Sequence, residues 1–73
     1  MKKLDAYFSY IDPDDGAFTE THNVEEIPDE WTQEQIGDYL QDYLDAFQDD
    51  ILERGGDDLA VTFQFYIDGK VAW

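Results

Sequence analysis

Apolar and polar residues alternate along residues 3–11, KLDAYFSYI. Leu4, Ala6, Phe8 and Tyr10 fall on one side, with Asp5, Tyr7, Ser9 and Ile11 on the other, which is the period of a strand. The next five residues, DPDDG, end the alternation. Pro13 fixes φ, Asp12 can cap the turn through its side chain and Gly16 tolerates positive φ, so a hairpin loop is expected. AFTETHNV, residues 17–24, reads as the returning strand, with Phe18 and Val24 as its inward, core-like positions. EEIPDE then reads as a turn.

The period changes after Trp31. Thr32 followed three residues later by Gln35 fits a capping box, and Trp31 and Ile36 stand at the hydrophobic-staple positions around it. Ile36, Tyr39, Leu40, Tyr43, Leu44, Phe47 and Ile51 then recur at helical spacing, and Gly55 supplies a C-terminal stop. LAVTFQFYI, residues 59–67, alternates again, with Leu59, Val61, Phe63, Phe65 and Ile67 on one face, as expected of an inner strand. Asp68-Gly69 predicts a two-residue turn of the primed type returning through KVAW. The order is ββαββ. One α+β domain over residues 1–73 is predicted, an antiparallel sheet of three to four strands with one long amphipathic helix on one face.

Composition adds constraints to this pattern. A chain of 73 residues buries only roughly 60% of the surface its unfolded form exposes, so the core must be small. It has no cysteine, hence no disulfide or thiolate metal site, and a reducing cytoplasm is the expected setting. No apolar run is long enough for a signal peptide or a membrane span. Nineteen acids against four bases give a formal net charge of −15, which argues against direct binding to nucleic acid or anionic lipid and favours a basic partner. Five Tyr, five Phe and two Trp in periodic positions argue against disorder.

Charge also gives the helix a second face. At 100° per residue, Asp38, Asp42, Asp45 and Asp49 fall within about 60° of one another, opposite the apolar stripe. Like charges at these spacings cost roughly 0.2–0.5 kcal/mol per pair, and Asp49, Asp50 and Glu53 oppose the helix dipole. Stability alone does not select such a row. A solvated helix face is the ordinary explanation of surface acids, but ordinary faces mix signs, and Thr32 to Glu53 contains no Lys or Arg. Asp50, Glu53, Asp57 and Asp58 would extend the row at one end, Glu30 and Glu34 at the other. If all the acids shared half the surface, each would occupy roughly 120 Å², against roughly 105 Å² per phosphate on duplex DNA. Steps of three to four residues separate carboxylates by roughly 4.5–6 Å along the helix axis, similar to the phosphate spacing of a strand.

In size, charge and acidic helix, the chain resembles the small DNA-mimic inhibitors that phages and mobile elements direct against restriction, CRISPR or DNA-repair proteins. That class shares a mode of action without sharing a fold or a motif, so it implies no residue list. What the resemblance implies is a non-catalytic inhibitor, acting in the host cytoplasm, that occludes the basic nucleic-acid groove of a nuclease, CRISPR or restriction component, or repair protein.

Two other readings compete. Acidic excess also keeps halophilic proteins soluble, and such a domain should lose its circular dichroism signal in low-salt buffer. Alternatively, the sheet face away from the helix serves as an interaction or homodimer surface, with Tyr7, Tyr66 and Trp73 as its aromatic residues and Ile11 and Val71 beside them. The ordinary explanation there is a wet sheet face. Catalysis is not expected: Ser9 and His22 form no convincing nucleophile and base, and scattered carboxylate pairs are unavoidable in so acidic a chain. No cofactor is implied. The DPDDG loop departs from the calcium-loop pattern, with glycine at its fifth position and Asn23 at the twelfth, so no metal site is expected.

Overall fold

The computed structural model describes all 73 residues, Met1–Trp73. The elements are β1 (Lys2–Ile11), β2 (Phe18–Ile27), α1 (Gln33–Glu53), a short 3₁₀ turn η1 (Asp58–Ala60), β3 (Thr62–Ile67) and β4 (Lys70–Val71). All strand pairs are antiparallel, in the order β2-β1-β3-β4, which makes β1 the central strand. This is the α+β, ββαββ arrangement that the pattern predicts.

Short-range chemistry explains the connections. In the β1–β2 loop the Asp12 side chain accepts the Asp14 N–H at 2.8 Å, the Asp12 carbonyl accepts the Gly16 N–H at 2.7 Å, and Gly16 sits at φ 72°. Thr32 and Gln35 form the reciprocal capping box at the start of α1. At the other end Gly55, at φ 85°, donates to the Leu52 carbonyl and Gly56 donates to that of Ile51, a Schellman stop. Gly56 also has a packing reason, because a Cβ there would lie 2.7 Å from Ile51 Cγ2. Asp68 and Gly69 both have positive φ, as a type I′ turn requires.

One core joins the helix to the sheet. Leu4, Ala6, Phe8 and Tyr10 of β1 meet Phe65 of β3, Ile27 of β2, Val61, and Ile36, Leu40, Leu44 and Ile51 of α1. The Phe8 ring stacks on Phe47 at 4.1 Å between centroids and meets Phe65 edge-on at 5.7 Å, so it links helix and sheet at their centre. Tyr39, Tyr43 and Phe47 flank the buried stripe and are half-buried. Trp31 packs against the same core, with its ring 5.3 Å from that of Tyr39.

Three expectations are corrected. The second strand runs on to Ile27, through residues read as a turn, and its inward positions are Thr19, Thr21, Asn23, Glu25 and Ile27. Phe18 and Val24 therefore lie on the opposite face, 65% and 55% exposed. The ring contacts of α1 fall on Phe8 and Tyr10 of β1 and Phe65 of β3, so β2 is under little pressure to be apolar within. Leu59 belongs to η1, not to a strand, and is 87% exposed, because Asp57 caps a single turn there by accepting the Leu59 N–H. Trp73 does not share the outer face with Tyr66 and Val71. The Ala72 and Trp73 N–H groups both donate to the Phe65 carbonyl, a bulge that breaks the alternation and turns the Trp73 ring onto Phe63 and Phe65 on the helix side.

Candidate functional site

The helix ridge forms as its spacing predicts. Asp38, Asp42, Asp45 and Asp49 are all exposed, while Ile36, Leu40, Leu44 and Ile51 on the opposite side of α1 are buried. Packing of that stripe holds the row rigidly toward solvent. No cation pairs with any of the four, and the one polar contact among them is neutral, Gln41 Nε2 donating to Asp45 at 2.9 Å. Glu34 stands exposed in the first turn and Glu30 in the preceding loop, continuing the row at its N-terminal end.

The C-terminal end is arranged differently. Arg54 Nη2 donates to Asp12 at 3.1 Å and Asp14 at 2.7 Å, and Nη1 lies 3.5 Å from Asp50. This cation holds the end of the helix against the β1–β2 loop, and its pKa is raised chiefly by the hydrogen bond to Asp14. Asp50 is thus partly compensated, whereas Glu53 is exposed and unpaired. Asp57 and Asp58 lie past the Gly55-Gly56 reversal, with the Asp58 carbonyl beside Gln48, so they flank the last turns of α1 instead of lengthening the row.

Other acids are already engaged. Asp29 binds the Met1 ammonium at 3.0 Å, Asp68 accepts the Lys3 N–H at 2.9 Å, and Asp5 lies 2.8 Å from His22 Nε2. Glu25 accepts the Tyr39 hydroxyl, and this bond, together with burial, pushes the Tyr39 pKa up to about 12. Burial first, then the charge of Glu25, raises Tyr43 as well. Tyr39 thus ties β2 to the flank of the helix, a link that the sequence pattern reads only as core. The signal was the glutamate two residues before Ile27, on the inward register of a strand that runs further than expected.

The opposite side of the molecule is different. Among the residues projecting from the sheet away from α1, the acids are Asp5, Glu20 and Glu26, and Asp5 is held by His22 and Lys3. Tyr7 lies flat on the His22 ring at 4.2 Å and edge-on to Tyr66 at 5.7 Å, giving an aromatic row across β2, β1 and β3. Ile11, Phe18, Val24 and Val71 surround it, all exposed. Of the three aromatic residues expected on this face, Tyr7 and Tyr66 are there.

No helix is long and apolar enough to cross a membrane. No three His, Asp or Glu side chains gather as a metal-ligand set. No protein-family model, curated protein or solved structure matches the chain. A functional reading therefore rests on the geometry of the chain itself.

Proposed function

We propose that this protein is a non-catalytic inhibitor that presents the α1 ridge as a polyanion and occupies the basic nucleic-acid groove of a target protein, of the anti-restriction or anti-CRISPR kind. The observation that carries this reading is the rigid row of Asp38, Asp42, Asp45 and Asp49, exposed along one side of a packed helix with no cationic partner. Successive members stand roughly 4.5–6 Å apart along the axis, a rhythm that Lys and Arg side chains arranged for phosphates can meet.

Density supports the same reading. The accessible surface is 4747 Å², and apart from Asp5, Glu20 and Glu26 on the outer sheet face and Asp68 in the β3–β4 turn, the carboxylates lie on the helix, on the loops near its two ends or on the inward side of β2. Spread over half of that surface they come to one per roughly 150 Å², somewhat sparser than duplex DNA at roughly 105 Å² per phosphate. Occupation of the groove is steric and electrostatic; no bond is made or broken. Glu30, Glu34 and Glu53 widen the contact, and Asp57 and Asp58 touch it from the flank.

The test is a pull-down from a bacterial lysate on the immobilised protein, eluted with salt, followed by competition between the protein and duplex DNA for whatever is retained. A retained nucleic-acid-binding protein that DNA displaces is the expected result. Retained proteins whose affinity for DNA or RNA is untouched by this chain would exclude mimicry.

A further inference from the structure

We infer that the free edge of β2 is a docking edge, along which an extended basic segment of a partner protein adds to the sheet as a further strand. The register shows which backbone groups that edge offers. The Asp68 N–H donates to the Lys3 carbonyl and the Asp12 N–H to that of Ala17, which fixes the alternation on both sides of β1. In β2 the residues opposite Leu4, Ala6, Phe8 and Tyr10 therefore bond to β1. The N–H and C=O groups of Glu20, His22, Val24 and Glu26 point off the sheet, and no other element lies along them. All four residues are exposed.

Such a row is ordinarily protected. Sheets blunt their edges with short strands, proline, lysine or a bulge, and the opposite edge here, β4, is only two residues long. β2 runs for ten residues in unbroken register with β1 and has none of these devices.

Charge selects the occupant. β2 carries Glu20, Glu25 and Glu26 and no Lys or Arg, within a chain of net charge −15. A second copy is turned away by like charge. The same carboxylates favour a strand that bears Lys or Arg, because opposite charges across a strand pair stabilise it.

A strand added there turns alternate side chains to the two sides of the sheet. On the outer side they meet Glu20 and Glu26. On the helix side a cavity of about 430 Å³ opens between Asn23 of β2 and Tyr43, Ala46, Phe47 and Asp50 of α1. The rings of α1 pack on β1 and β3, which leaves this space beside β2 unfilled. The stem of a Lys or Arg lies along the two rings there, with its charge beside Asp50.

Hydrogen exchange followed by NMR tests this, with a peptide of alternating lysine and threonine, as long as β2, for the probe. At saturating peptide the Glu20, His22, Val24 and Glu26 N–H groups should exchange about tenfold more slowly or better. The same peptide with every backbone amide N-methylated keeps its charge but has no donors, and should bind about tenfold more weakly or worse. Val24→Pro removes an outward N–H without touching a bond to β1 and should weaken binding in the same way, with circular dichroism confirming that the variant is folded. An alternating glutamate–threonine peptide should give no protection. Equal binding of the N-methylated peptide overturns the inference, as does protection by the glutamate peptide or its absence at those amides with the lysine peptide. Protection that rises with protein concentration when no peptide is added also overturns it, because the occupant is then a second copy. The inference does not rest on the inhibitor reading. Asp42→Lys with Asp45→Lys disables the ridge and should leave the β2 protection in place, whereas a ridge that binds its target requires no protection in β2.

Discussion

The two broad faces of this domain are built from the same core outward and end in opposite chemistry. Below the sheet, α1 buries Ile36, Leu40, Leu44 and Ile51 and turns Asp38, Asp42, Asp45 and Asp49 to solvent. Above it, Tyr7, Ile11, Phe18, Val24 and Val71 stand uncovered with few acids among them. A helix has a solvent side that the core does not constrain, and here it is filled with one sign of charge. A sheet covered on one side leaves its other side equally free, and here exposed apolar and aromatic groups are interspersed with Lys3, Ser9, Glu20, Glu26 and Thr62. If solubility alone governed the free positions, both faces would be polar. On the ridge side this distribution of charge is what the proposed binding to a basic groove requires.

The comparison can be broken most severely at the layer both faces share. Phe8 lies against Phe47, Tyr43 and Phe65, so Phe8→Ala should cost about 3–5 kcal/mol, enough to unfold much of so small a domain. Chemical denaturation should then show helix and sheet signals disappearing together. A loss confined to one of them would mean that the faces fold as separate units.

Next in size is the charge of the ridge. Asp42→Lys with Asp45→Lys should weaken target binding at least a hundredfold, about 2.7 kcal/mol or more, with an unchanged circular dichroism spectrum. Titration calorimetry at two salt concentrations would check it, since wild-type binding should fall steeply with salt. Unchanged affinity would remove α1 from the binding surface.

Smaller effects sharpen how the ridge is held. Thr32→Ala removes the side chain that accepts the Gln35 N–H and should cost about 1 kcal/mol of stability, readable as a lowered denaturation midpoint. Tyr39 supplies a pH test. Its folded pKa of about 12 lies above the ordinary value of 10, so the protonated hydroxyl favours the folded state. That contribution is complete below pH 10 and is lost as pH climbs toward 12. In Glu25→Gln the tyrosinate absorbance of Tyr39 should appear nearer the ordinary value, and the alkaline loss of stability should shrink. An unshifted titration would show that burial, not Glu25, sets the Tyr39 value.

Much of this was legible in the residues because the interactions concerned are short-range. The Thr32/Gln35 box, the Gly55 stop, the Asp68-Gly69 turn and the helix ridge each depend on neighbours within a few positions. The two faces of β1 were legible too, since a central strand beneath a helix must be apolar on one side. Other features depend on where α1 comes to lie. Its ring contacts are with β1 and β3, so β2 carries threonines and Asn23 inward and Phe18 and Val24 outward, against the usual rule. Trp73 changed sides because of a one-residue bulge opposite Phe65, and alternation cannot forecast a bulge. Arg54 gathered Asp12, Asp14 and Asp50 from segments far apart in the chain, taking one ridge candidate partly out of play.

By itself, then, the sequence determined the elements, the turn types and the charge on the solvent side of the helix, because local hydrogen bonds and a 3.6-residue period fix those without reference to the rest of the chain. Only the tertiary structure decided which side of β2 faces inward, which acids are neutralised and which aromatic groups stay uncovered. Those outcomes follow from how a helix and a sheet share one small core, and contacts across that core join residues that are distant along the chain.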